Sequence, residues 1–314
     1  GLFLTLILLP VLASAVVRDY YFRLLDSRQG LTQSTITALM QDRDGFVWVG
    51  TQGELHRFDG YTFQNLEDIL GKPSQLPSFA RALAQNEDGL IYVGTLQDGL
   101  YQIDVAARRL SPVLAEPKER AMPNGRIDSL LYQPGVGLWI AWEHGIGRID
   151  AANKKYREVF AFGSQSTRAP NNPVNVVRSM ALDAHGTLWV ASGHGLYQVN
   201  TATARAERHS IHSVNALLLE KSGQLIAAGP LGVKRITADK KEHIWPPEDF
   251  SISGGAACCD VLAMAQDMEG YIWLSVRNGN VWRLTLGTGH AESIETNAWV
   301  DGMLPEFGLN RMMI

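Results

Sequence analysis

Laid over one another on an internal repeat, successive segments of this chain bring Thr37, Arg81, Asp128, Arg178, Asn215 and Leu262 to one equivalent position, and five of the six are polar. Arg81 and Arg178 matter most for chemistry. A guanidinium presents a planar fork of donors that pairs a carboxylate, a sulfate or sugar hydroxyls. The competing use is structural, with both arginines spent on Asp128 and channel water. Just before these positions lie Ser34, Ser78, Asn175, His212 and Cys259, with Phe79 one step later. Among the histidines, His212 is the one the alignment sets near a ligand, whereas His56, His144 and His194 sit beside the glycines of hairpin turns and read as solvated. No group of Cys and His has the spacing of a metal site, so neither a metal ion nor a cofactor is expected.

The elements that must position these residues come from a phrase written six times. It begins as Asp42-Arg-Asp-Gly45-Phe-Val-Trp48-Val-Gly50-Thr51 and returns around Tyr92, Trp139, Trp189, Ile226 and Trp273, at steps of 44, 47, 50, 37 and 47 residues. A period in that range marks a repeat architecture. Each unit opens with an apolar-rich run such as Ile36 to Met40, turns at an acidic-glycine pair, and continues as the short strand Phe46 to Gly50. Asp suits that turn because it can bond the backbone two residues on, and Gly accepts positive φ without steric cost. A second glycine (Gly53, Gly99, Gly145, Gly195, Gly232, Gly279) marks another turn before a third strand, and a weaker fourth follows, as in Arg157 to Phe162. The aspartates Asp59, Asp104 and Asp150, which end third strands, read as turn formers. Four short strands per unit with no convincing amphipathic helix is the pattern of an all-β propeller blade. One such sheet cannot cover both its apolar faces, so blades stack radially, and the recurring aromatic is expected to pack between them.

The ends read differently. Residues 1–15 hold a short apolar core, Leu2 to Leu12, and the small-residue cleavage signal Ala13-Ser-Ala15, which is read as part of a secretory signal peptide. The run is short for a bilayer span, which needs about twenty apolar residues. Residues 16–314 are expected to form a single propeller, with Trp299 to Ile314 resembling the lead-in to another repeat. That reading gives seven blades, the seventh truncated, and a strand through Tyr20 to Leu25 is expected to complete the last one and remove an exposed sheet edge. The chain holds 46% hydrophobic and 19% charged residues, 30 glycines and a net charge of −4. This is the composition of a turn-rich soluble domain, and it lacks the basic face that nucleic-acid binding needs. The two cysteines, Cys258 and Cys259, are adjacent. Their Cα separation of about 3.8 Å is below the usual disulfide span, so two unbridged buried thiols are favoured over a strained vicinal bridge.

The stretch Gly30-Leu31-Thr-Gln-Ser-Thr-Ile36 through Asp42, Gly45, Trp48 and Thr51 to Leu55-His-Arg-Phe58-Asp59-Gly60-Tyr61 resembles the signature of the two-component regulator propeller family. Degraded copies run to about Leu284, and blade five departs most, with Ile226 at the aromatic position. The resemblance implies the periplasmic sensor portion of a bacterial receptor anchored in the inner membrane. A transmembrane helix and an output module, a histidine kinase or a diguanylate cyclase, would lie outside this chain. It implies a small-molecule or oligosaccharide ligand, no catalysis by this segment, homodimerisation through the parent receptor, and no nucleic-acid partner.

Two other classes compete. Gly137 to Asp150 resembles repeats of streptogramin lyase, a propeller enzyme. That chemistry would need a Glu and a His together at the mouth of the channel, within hydrogen-bond reach of the bond to be broken. The third reading is a structural interaction propeller of the cell envelope.

Overall fold

The computed structural model describes residues 24–71, 79–113, 125–142, 145–161, 177–183, 185–203, 205–210, 212–236, 242–245, 260–277 and 281–294. They form six antiparallel sheets, each built from four strands consecutive in sequence. In blade one these strands are Ile36–Gln41, Val47–Thr51, Leu55–Phe58 and Phe63–Asn65. The innermost strands of the later blades are Ala80–Gln85, Ile127–Gln133, Val177–Leu182, Ala216–Leu219 and Val261–Gln266. They pack on one another in chain order, from blade one to blade six.

The all-β propeller with four-stranded blades is therefore present, but the expected count of seven is corrected: the described residues make six blades. Only six copies of the anchor phrase exist to nucleate a sheet. The expected seventh lead-in, Trp299 to Ile314, lies outside the described residues, as do the segment 1–15, most of the strand expected from Tyr20, and the Cys258-Cys259 pair. Among the described residues, the close packing of innermost strands runs from blade one to blade six without joining blade six back to blade one.

Each blade is organised by one polar side chain at its first turn. Asp42 Oδ1 accepts the backbone N–H of Asp44 at 3.0 Å and of Phe46 at 2.9 Å, while Gly45 takes φ 89°. The second oxygen, Oδ2, accepts the indole N–H of Trp48 at 2.8 Å. Asp183 with Trp189 and Asp267 with Trp273 repeat the arrangement at 2.9 and 2.8 Å, and Gln133 serves Trp139 at 2.9 Å. An indole N–H buried without an acceptor would cost about 1–3 kcal/mol, so carboxylate and anchor are one unit six residues apart. Blade five has Ile226 in place of the aromatic. Its turn residue Glu220 instead accepts the Arg235 guanidinium at 2.8 Å, so the same carboxylate position stays satisfied by another donor.

The anchors pack between blades as expected. Trp48 joins Ala80, Ile91, Val93 and Ile103 of blade two. Trp139 joins Val177, Leu188 and Val190 of blade four, and Ile226 joins Val261, Ile272 and Leu274 of blade six. Trp273, in the last described blade, is only partly buried. Two residues past each anchor the side chain is small: Gly50, Gly94, Ala141, Ala191, Ala228 and Ser275. A Cβ on Gly94 would lie 2.5 Å from Ile127 Cγ2 and one on Gly50 2.9 Å from the Ala80 carbonyl oxygen, so the next blade's innermost strand passes directly over this position. The short helix Leu66–Leu70 after blade one was not expected. Asn65 caps it by accepting the Asp68 N–H at 2.8 Å, and Leu66, Ile69 and Leu70 are buried against blade two.

Candidate functional site

The six aligned positions owe their direction to a break in strand pairing. Ile36 pairs with Thr51 and Ala38 with Gly50, which leaves Thr37 as an extra residue without a cross-strand partner. The same break falls at Arg81, Asp128, Arg178 and Leu262. In blade five Ala216 pairs with Ala228 while the Asn215 N–H bonds the Ala228 carbonyl at 2.8 Å, so two residues again face one. A bulge of this kind bends a strand and re-aims its extra side chain. Repeated at the start of each innermost strand, it collects these side chains at one end of the axis.

There they line a cavity of about 370 Å³ shared by Thr37, Arg81, Asp128, Arg178, Asn215 and Leu262, with Phe79 and Arg277 on its wall. A second cavity of about 160 Å³ is also bounded by Arg81, Asp128 and Arg178, together with Ser129 and Ser179. The three charged residues thus stand at the boundary between the two spaces.

Most of these side chains reach to the following blade. Thr37 Oγ1 donates to the Ala80 carbonyl at 2.5 Å, and Arg81 Nη2 lies 3.2 Å from Asp128 Oδ1. Asn215 Nδ2 donates to the Val261 carbonyl at 2.7 Å and to Asp260 Oδ1 at 2.5 Å. Asp128, whose side chain is fully buried, also faces Arg126 Nε at 3.0 Å. Burial pushes the Asp128 carboxyl above the ordinary carboxylate range, and Arg126 and Arg81 pull it back. Arg277 is engaged too, its Nε bonding Asp260 Oδ2 at 2.8 Å.

Arg178 is different. Its Nη1 donates to the Ser213 hydroxyl at 3.2 Å, a neutral partner, and burial pushes the guanidinium below its usual range, while Asp260 acts on it only from a distance. The structural use expected for the arginines therefore holds for Arg81, which pairs with Asp128. Among the described residues it does not hold for Arg178. Phe79 adds an aromatic wall, and its backbone sits at φ 52°, in the left-handed region that bulky residues seldom adopt. Holding it there costs on the order of 1–3 kcal/mol, which the surrounding contacts must offset.

His212 is corrected. It is exposed and borders a separate, small cavity with Leu196, Val214 and Leu231, not the axial mouth. Val214 N–H bonds the Ser192 carbonyl at 3.1 Å and docks this segment on blade four, so the chain reaches the axis only at Asn215. Ser78, Asn175 and Cys259 lie outside the described residues. Sequence reasoning missed Arg126, Asp260 and Arg277; the first two precede the aligned position by two residues, an offset the repeat itself could have exposed. Among the described residues no three His, Cys, Asp or Glu side chains come together, and no helix is long and apolar enough to cross a membrane.

The comparisons with known proteins agree with the propeller fold. Residues 30–53 match the family model for the two component regulator propeller. No curated protein matches the chain. Among solved structures, it is similar to the extracellular domain of a protein assigned as a hybrid two component system from B. thetaiotaomicron, with a TM-score of 0.68 and 18% identity over 89% of this chain and 38% of that one. A second such domain, assigned to a one component system of the same organism, gives a TM-score of 0.51 and 17% identity over 84% of this chain and 46% of that one. Virginiamycin B lyase from Staphylococcus aureus gives 0.52 and 12% over 69% of each chain. At these identities the likeness is one of fold, and the chain spans less than half the length of the two extracellular domains. In its first blade, then, this propeller carries the two component regulator propeller repeat.

Proposed function

We propose that this chain is the exported, ligand-recognising propeller of a membrane-spanning bacterial signal-transduction receptor, with recognition at the axial mouth. One observation carries the reading: a family repeat in blade one stands in a fold whose bulge residues, from every blade, converge on a single polar cavity. Pockets of this kind, a few convergent polar groups among apolar walls, are where small molecules bind. The ligand is a small molecule or oligosaccharide. The output is a histidine kinase phosphorelay or a diguanylate cyclase, supplied by a module beyond this chain, and the parent works as a homodimer in the inner membrane with the propeller in the periplasm. A ligand shifts such a receptor only if it binds one arrangement more tightly than the other.

Alkaline phosphatase fused after Ile314 tests export, because its disulfides form only outside the cytoplasm. High activity in intact cells is expected; an inactive but abundant fusion would contradict the reading. The lyase reading is weaker on geometry. Among the described residues that line the mouth there is neither a His nor a Glu, so those residues do not assemble the acid-base pair there.

A further inference from the structure

The charges at the mouth are unevenly matched. Arg81 and Arg126 share Asp128, and Arg277 and Asn215 share Asp260, which leaves Arg178 facing the cavity with a serine hydroxyl as its partner among the described residues. Among the described residues, four arginines against two aspartates make this a positive pocket in a chain of net charge −4. A half-buried guanidinium without an anionic partner is held at a cost in lost hydration, and that cost is recovered when an anion binds. Beside it, Phe79, Val177 and Leu262 offer apolar wall, so the cavity suits a body with a flat apolar face as well as a charge.

We infer that the axial mouth is a site for a small organic anion whose carboxylate is held by the Arg178 fork and whose body lies against Phe79. The assignment rests on the mouth being the recognition face. A cavity of about 370 Å³ lies at the small end of ligand pockets and holds one or two sugar rings or a molecule of that size. Planar, bidentate pairing of a carboxylate is what a guanidinium does better than an ammonium, so Arg178→Lys retains the charge and loses the fit.

The test is calorimetric titration of the 314-residue chain with D-glucuronate, its neutral counterpart D-glucose, and sodium sulfate. Glucuronate is expected to bind, about tenfold or more tightly than glucose, and to weaken as salt is raised. Arg178→Gln should weaken glucuronate about tenfold or more and Arg178→Lys by less. Because Gln can still donate to Ser213, the unfolding temperature of the Arg178→Gln protein should stay level or rise, which separates loss of binding from loss of fold. Sulfate bound in place of glucuronate, and released by Arg178→Gln, would support the anion site. Equal binding of glucose and glucuronate would overturn the anionic assignment while leaving ligand recognition standing. Glucuronate affinity unchanged in Arg178→Gln, or no binding of any of the three probes, would overturn it as well.

Discussion

Asp42 spends one oxygen on its own turn and the other on Trp48, and that division links local structure to the core between blades. Asp42→Asn keeps one acceptor but turns an amide N–H towards the indole N–H, and is expected to destabilise by about 1–3 kcal/mol in urea unfolding. Combined with Trp48→Phe the loss should be much less than additive, since the two form a single hydrogen-bonded unit. A second residue-scale expectation concerns pH. Burial raises the Tyr156 phenol to about 12, with Glu158 adding to the effect. The unfolded phenol ionises near 10. Stability contributed by the un-ionised ring is therefore complete below about pH 10 and is lost as pH rises towards its folded value. Tyr156→Phe should flatten that part of the alkaline unfolding profile; an unchanged profile would show that other groups govern it.

At the scale of the element, the bulge at the head of each innermost strand aims a side chain at the axial cavity and the small residue two places past each anchor does the packing. A Cβ at Gly94 would meet Ile127 of blade three at 2.5 Å. Gly94→Val should therefore cost about 1–3 kcal/mol or more by overpacking, whereas Ala141→Gly in blade three should cost about 1 kcal/mol or less. Urea titration of the two variants checks the contrast. The strands, their order and the turns were legible in the sequence, because alternation, Asx-type turns and positive-φ glycines are written locally. The channel positions Thr37, Arg81, Asp128, Arg178 and Asn215 were legible too, since the repeat alignment carries them. The bulge was not, because an unpaired residue leaves no mark in composition. His212 was misplaced because sequence spacing cannot see the backbone bond from Val214 to Ser192 that carries it outward. The helix Leu66–Leu70 hides for a related reason: five residues are too few to show a period.

Across the whole molecule, stability is a chain of interfaces between neighbouring blades, each closed by the anchor of one blade in the sheet of the next. Among the described residues the last interface partner is blade six, whose Trp273 is only partly buried while Trp139 is fully buried. Trp139→Ala is expected to cost about 3–5 kcal/mol and Trp273→Ala distinctly less, by thermal unfolding of the two variants. The same stacking order fixes the site, because consecutive innermost strands bring their bulges to one end of the axis. The most direct measurement of recognition at that end is crystallographic soaking of the protein in a mixed set of sugars, sugar acids and amino acids. Bound molecules are expected in the cavity bounded by Thr37, Arg81, Arg178 and Asn215, in contact with at least one of those side chains. Molecules bound only along the outer strands, with the axial mouth holding none of them, would contradict recognition there.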